Sequence, residues 1–385
     1  MLNAINGSIQ NELSRFFQVL DEAPVSLVNI STAAFCKARM KFSYSAFKAL
    51  NRSLTETFYQ SSSVRLWNGF RLLAVDASVT QLPNSPALLA HYGKARSHSL
   101  QPAARMSQLY DVLNKLTVDL EVDSHATGER NMALKHLDSA REKDLLLYDR
   151  GYPAVWFFKY HQLNNVDFCA RATLDSSNIV TAFVLSGKSS EIAEFPCIEK
   201  SLRRCRKDGL STNPIKLRLI RVNLPSGTTE VLLTSLLDED TYPHSLFADL
   251  YHQRWSIEED YKVMKSRLTI ENFSGFSVEA VLQDIHAKTL TKNLAAVAIV
   301  EADRLSSQVE RKRKHHYKLN ISHALNQLKD NIVRFLMGTA VKGLSELLIA
   351  KISRVANAYR PERKFNRPWR RMSAYKYPTA YKRSC

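Results

Sequence analysis

Nothing in this chain of 385 residues is long and apolar enough to suggest a membrane span. A spanning helix needs about 18 consecutive apolar residues, and the nearest run, LAAVAIV at 294–300, reads as a helix core. The opening stretch MLNAINGSIQNELSRFF carries Glu12 and Arg15 and has no apolar centre, so no signal peptide is expected. Cysteine is scarce and scattered: Cys36, Cys169, Cys197, Cys205 and Cys385 form no C-x-x-C pair. That excludes a cysteine zinc site of the usual spacing and points to a reducing cytoplasm. The sequence has no G-x-G-x-x-G, and SGKSS at 186–190 lacks the upstream glycine of a phosphate-binding loop, with Ala182 in its place. Its eleven histidines include no H-E-x-x-H, and His315 and His316 read as solvated members of a basic run. Internal repeats and low-complexity segments are also missing.

What is present is a globular composition, 45% hydrophobic and 24% charged, long enough for two or three domains. The net charge of +17 is unevenly spread: residues 304–385 hold 20 Lys/Arg against 4 Asp/Glu, a net of +16. A concentrated basic region calls for an acidic polymer, nucleic acid before a membrane surface. RKRKHHYK (311–318) and RPERKFNRPWRR (360–371) interleave rings with charge; such rings stack on bases or anchor the segment to the protein.

Residues 1–65 read as helical, with Ser31 or Thr32 capping TAAFCKARMKF and SYSAFKALNRSL following a short break. They form either a DNA-binding helix-turn-helix or plain helical packing. From 66 the pattern changes. RLLAVDAS (71–78) reads as a strand ending in Asp76, RMSQLYDVL and KLTVDLEV (105–122) as alternating strands, and ERNMALKHLDSAREK (129–143) as a helix. DLLLYD (144–149) is another apolar strand ending in an acid, PAVWFFKYHQL (153–163) a helix with proline in its first turn, and VDFCARAT (166–173) a strand. NIVTAFVLSG, IKLRLIRVNLPSG and EVLLTSLL read as strands of a β-rich insertion at about 174–240. The expected class is α/β, a mixed sheet in a core spanning 66–303 between helical N- and C-terminal regions, the latter at 304–385.

Asp76 and Asp149 share a context, four largely apolar residues and then an acid before a polar or glycine-containing turn. Such an acid is commonly a turn former or helix cap. On neighbouring strands the two carboxylates would stand a few ångströms apart, where repulsion requires a proton or a cation between them. In YHQRWSIEEDYKVMKSRL (251–268), Leu250, Ile257, Tyr261, Met264 and Leu268 form one apolar stripe at about 100° per residue. Tyr251, Arg254, Glu258 and Lys265 share an arc of roughly 60° at its shoulder, while Glu259 points away and Asp260 lies on the other flank. Glu258 is therefore the acid best placed to face a cleft, unless it merely pairs with Arg254 and Lys262 on a solvated face. An all-oxygen site of Asp76, Asp149 and Glu258 suits Mg²⁺ or Mn²⁺, and a pair of such ions suits phosphodiester chemistry.

Tyr251, two residues, Arg254, three residues, Glu258, six residues, Lys265 matches the Y(2)R(3)E(6)K signature, and the chain resembles the DDE transposases of bacterial insertion sequences, in the large family numbered four. DRGY (149–152) resembles the second catalytic aspartate motif and VDASVTQLP (75–83) the first; QPAAR (101–105), ENFSG (271–275) and QDIHAKTLTKNLAA (283–296) extend the likeness. DAS stands where Asp-Gly-Thr is common, and LTSLL (233–237) where Thr-Asn-Leu is common. The resemblance implies a ribonuclease-H-like core with a β insertion, divalent metal on Asp76, Asp149 and Glu258, and DNA phosphates held by Tyr251, Arg254 and Lys265. It also implies cut-and-paste transposition, with transposon-end and target DNA as partners, a homodimer in the DNA-bound complex, and a place at the nucleoid. A stand-alone metal-dependent nuclease, or an inactive DNA-binding derivative or repressor, is the alternative.

Overall fold

The computed structural model describes residues 8–22, 24–26, 30–61, 64–94, 101–307, 317–336 and 343–358. The basic run at 311–316, the segment 360–371, His315, His316 and Cys385 lie outside the described residues. Two compact units divide the chain: Met1–Val64, Val79–Ala104 and Tyr261–Cys385 form the first, Arg65–Ser78 and Arg105–Asp260 the second. In chain order the first elements are α1 (Ile9–Leu20), α2 (Thr32–Arg39), α3 (Ser45–Tyr59), β1 (Arg71–Gln81), α4 (Pro86–Tyr92), β2 (Ala103–Asp111) and β3 (Leu116–Ser124). Then come α5 (Glu129–Lys135), β4 (Asp144–Tyr148), α6 (Val155–Leu163), β5 (Asp167–Ala172), α7 (Asn178–Ser186), β6 (Ser190–Phe195) and α8 (Glu199–Lys207). The remainder is β7 (Ile215–Asn223), β8 (Thr229–Thr234), α9 (Leu246–His252), α10 (Trp255–Ser266), α11 (Val278–Ser307), β9 (Tyr317–Leu319), α12 (Ile321–Leu336), α13 (Leu344–Ser353) and β10 (Ala356–Ala358).

One mixed sheet runs in the order β3-β2-β1-β4-β5-β8-β7-β6. β1, β4 and β5 are parallel neighbours, and β8, β7 and β6 continue the sheet antiparallel. This bears out the α/β expectation, with parallel strands linked through helices and an inserted antiparallel edge. One face is sealed by Leu73, Val75, Tyr148, Phe168, Ala170 and Leu219 against Phe157, Phe158, Val180 and Phe183 of α6 and α7, which form the main core. Phe158 and Phe168 stack with centroids 4.2 Å apart.

The structure departs from the sequence reading in several places. NIVTAFVLS is not a strand but α7: the Ser177 side chain accepts from Val180 N–H, and Gly187 in the left-handed region closes the other end. Local capping at both ends outweighs the β propensity of the β-branched residues, and the insertion holds α7 and α8 beside its three strands. β1 does not stop at Asp76 but runs on to Gln81, carried by Val79 and Thr80. The helix at 129–143 ends early, passing from α5 into a 3₁₀ turn at His136–Ser139. At the N-terminus Ser31 rather than Thr32 is the cap, its hydroxyl accepting from Ala34 N–H.

The first unit is mostly helical and its buried polar ties explain several residues of the resemblance. Arg39 donates to Asp284 at 2.9 Å, to Gln283 at 2.5 Å and to the Ala280 carbonyl at 2.7 Å. Being 6% exposed, it serves packing and presents no charge to solvent. Lys288 donates to the Thr269 and Asn272 carbonyls at 2.9 and 2.6 Å, fixing the loop that carries ENFSG. Gly275 of that loop leaves no room for a side chain, since a Cβ would meet Ala280 Cβ at 2.7 Å.

Candidate active site

Strand register builds the site. Ala74 pairs with Leu147 across β1 and β4, and Leu147 with Cys169 across β4 and β5. Side chains return to the same face two residues further on, so continuing this register past its last pairs sets Asp76, Asp149 and Arg171 in one transverse row. Adjacent strands are about 4.8 Å apart, so the two carboxylates are neighbours, as the sequence reading required. Asp149 follows the last residue of β4 and is oriented by its own turn: Gly151 N–H donates to Oδ1 at 2.7 Å, and Tyr152 N–H to the Asp149 carbonyl at 3.2 Å. Just before it, Tyr148 is buried and hydrogen-bonded to His161 Nε2 at 2.8 Å. His161 Nδ1 lies 2.9 Å from the Phe157 carbonyl, which can only accept. Nδ1 therefore carries the proton and Nε2 accepts from the Tyr148 hydroxyl. Burial holds this imidazole neutral, its pKa pushed down to about 4.

Burial likewise pushes the Asp76 carboxyl up to about 6; the Ala77 backbone N–H and Arg254 oppose the shift, while Glu258 and Asp149 add to it. Asp76 thus lies within the field of both other acids.

The segment 251–268 is two helices rather than one. α9 ends at His252 and α10 begins at Trp255, with Gln253 N–H bonded to Asp249 and Leu250 carbonyls across the break. The expected apolar stripe is buried throughout: Leu250, Ile257, Tyr261, Met264 and Leu268 are at most 6% exposed. Tyr251 and Arg254 are buried as well, at 4% and 2%. Tyr251 donates to the Tyr148 carbonyl at 3.3 Å, reaching the strand that presents Asp149. The Arg254 guanidinium lies over the Tyr251 and Trp255 rings, 5.7 and 5.2 Å from their centroids. Its Nη2 donates to Glu258 Oε1 at 3.0 Å. The four-residue ion pair foreseen for a solvated face does form, with the Arg254 side chain buried and that of Glu258 34% exposed. Glu259 is exposed. Asp260 is buried and accepts from Gln108 at 2.7 Å.

Asp76, Asp149, Glu258, Tyr251 and Arg254 all belong to the second unit and share one electrostatic neighbourhood. Lys265 belongs to the first, where its Nζ donates to the Val79 carbonyl at 2.8 Å and stands 3.9 Å from Glu271. The donor chemistry fits a hard divalent cation: carboxylates only, one of them buried with a raised pKa that a cation would relieve. Among the described residues, however, no three His, Cys, Asp or Glu side chains are gathered closely enough to hold an ion. Glu258 is turned to Arg254 instead.

Sequence reasoning did not find Arg171, Tyr148 or His161. ARAT offers no motif, and only the strand pairing, which ends at Tyr148 and Ala170, brings Arg171 to the level of Asp149.

Residues 67–294 match the family described as Transposase DDE domain. The chain is 23% identical over 374 residues to the transposase InsG for insertion sequence element IS4 of Escherichia coli strain K12, covering 92% of this chain and 80% of that protein. A cryo-EM structure of the piggyBac transposase synaptic complex with hairpin DNA aligns with a TM-score of 0.41 and 10% identity. That alignment covers 76% of this chain and 59% of the piggyBac chain.

Proposed function

The chain belongs to the Transposase DDE domain family, DNA transposases that cut DNA and transfer its strands, and we propose that Asp76, Asp149 and Glu258 are its catalytic metal ligands. Tyr251, Arg254 and Lys265 hold DNA phosphates beside the cleaved bond. The observation that carries this reading is the row of Asp76 and Asp149 on adjacent parallel strands, with Glu258 in the field of the first. Divalent metal belongs to the family's chemistry; Mg²⁺ or Mn²⁺, two ions, suits these ligands, and when bound it activates the attacking oxygen and stabilises the leaving oxygen.

The protein's own groups orient the reacting phosphate. Arg254 lies over the Tyr251 and Trp255 rings, which help to hold its planar fork for bidentate contact with a phosphate. A phosphate arriving there competes with Glu258 for the guanidinium, so substrate binding and release of the Glu258 carboxylate go together. Water attacks first and frees a 3′-hydroxyl at the element's end; that hydroxyl then attacks target DNA, one phosphodiester bond forming as another breaks. The basic region at 304–385 adds affinity for duplex DNA. Two protomers hold the paired ends, and the enzyme works in the cytoplasm at the nucleoid; no helix among the described residues is long and apolar enough to cross a membrane.

The test uses the purified full chain and a duplex carrying the inverted repeat that flanks its gene. With Mg²⁺ the expected products are a free 3′-hydroxyl end and that end joined to target DNA, and neither forms in EDTA. Cleavage without joining would identify a nuclease. Binding without cleavage in Mg²⁺ or Mn²⁺ would identify the inactive DNA-binding alternative, which the Arg254–Glu258 pair would then explain.

A further inference from the structure

The row of Asp76 and Asp149 has a third member that the signature does not contain. The β4–β5 pairing ends at Tyr148 and Ala170, and continued by one residue it brings Arg171 of β5 level with Asp149, whose charge Arg171 feels. Its guanidinium is partly buried, the side chain 22% exposed, and Nη1 donates to Glu230 Oε1 of β8 at 2.5 Å. Its buried Nε has no hydrogen-bond partner. One acceptor for a fork of five donors leaves the group held in place yet far from satisfied. Cross-strand ion pairs on exposed sheet faces are weak and common, but this cation sits beside the acids of a phosphodiester site. Burial works against its charge, while Glu230 and Asp149 hold it ionised. Arg254 is alike in having one carboxylate partner and a buried Nε without one.

We infer that Arg171 is a further phosphate-binding residue, taking a non-bridging oxygen of the DNA strand on the β5 side of the Asp76–Asp149 pair. Glu230 aims it from behind, and Tyr251 stands between it and Arg254 electrostatically, its hydroxyl within the field of both guanidinium groups. With Arg254 the site then grips the strand on both sides of the reacting phosphate, which fixes the direction of in-line attack. This inference rests on the proposed function of the same site.

The experiment is cleavage of the flanking-repeat duplex by the full chain, with single neutral methylphosphonates placed in turn at each phosphate around the cut. Arg171→Ala should lower cleavage by about 10- to 100-fold, the loss of one charge-assisted contact. One phosphonate position should impair the wild type yet cause no further loss in Arg171→Ala; Arg254→Ala should be blind to a different position. Should the ion pair be needed for folding, Arg171→Met with Glu230→Met restores a cross-strand apolar pair, and the same phosphonate-blind position is expected in a folded chain. Glu230→Gln should lose far less cleavage than Arg171→Ala. Wild-type cleavage by Arg171→Ala, or equal sensitivity of both chains at every phosphate, overturns the inference and leaves the proposed function standing. Failure of the wild type to cleave at all overturns the proposed function first.

Discussion

At the start of β1 and β4, Arg71 and Asp144 pair in register, Nε to Oδ1 at 2.7 Å and Nη2 to Oδ2 at 2.5 Å, with Arg141 N–H adding 2.9 Å to Oδ2. Five residues further along both strands, on the other face, the same register sets Asp76 beside Asp149. The first pair is opposite in charge, bidentate and buried, with side chains 7% and 1% exposed. The second is alike in charge, and burial and mutual repulsion push one member up to about 6. Two positions on the same two strands thus separate what charge does for the fold from what it does for function. A buried pair that satisfies itself needs nothing further, whereas a pair that repels is tolerated because something else binds there.

The largest effects should divide along that line. Asp76→Ala, Asp149→Ala and Glu258→Ala should each lower strand cleavage by more than about 1,000-fold, because ligands of one site act as a unit. DNA binding should hold, and the melting temperature should not fall. Asp144→Ala should do the reverse, costing about 3–5 kcal/mol of stability by stranding a buried guanidinium, with activity per folded molecule retained. Cleavage and melting curves on the same preparations check both. A cleaving Asp149→Ala protein would remove it from the site, and an unchanged melting curve for Asp144→Ala would mean that Arg71 finds other partners.

The next effect depends on pH. The folded pKa of Asp76 lies above its ordinary value of 3.8, at about 6. Protonation therefore favours the folded state: the stabilisation is complete below about pH 4 and is lost as pH rises through 6. The magnitude is on the order of 2–3 kcal/mol. In EDTA, Asp76→Asn should melt above the wild type at pH 7, the two curves converging near pH 4. Mg²⁺ at pH 7 should raise the wild-type melting temperature and leave Asp76→Asn unmoved, since only the native carboxylate binds the ion. A difference independent of pH would show that the carboxylate carries no such penalty.

Much of this arrangement was legible in the chain, and the parts that were not share a cause. LLAVD and LLLYD read as buried strands because their apolar runs are short and followed by a polar turn or strand. The shoulder of the 251–268 stripe was readable because helical period is local. Missed features depended on partners distant in sequence or on caps: Arg171 becomes Asp149's neighbour only through β4–β5 pairing, and α7 owes its state to Ser177 and Gly187 rather than to NIVTAFV. The break at residues 253–254 leaves no mark on the periodicity because Leu250 and Ile257 keep their burial on either side of it.

The smallest expected effect is also the sharpest check of orientation. Glu258 and Glu259 are adjacent and chemically identical, yet α10 turns Glu258 toward Arg254 and leaves Glu259 exposed. Glu258→Gln keeps the size of the side chain and removes its charge, so it weakens the hold on Arg254 and takes one oxygen ligand from the acids. It should lower cleavage by about 100-fold or more, a metal-ligand loss. Glu259→Gln removes the same charge about 100° further round the helix and should stay within about twofold, with stability changed by no more than about 0.5 kcal/mol. Both proteins should bind the repeat duplex alike, so a cleavage assay at saturating enzyme isolates the chemistry. If Glu259→Gln were the inactive variant, α10 would have to rotate in the DNA-bound state, and the Glu259 carboxylate, not that of Glu258, would join Asp76 and Asp149 on the metal.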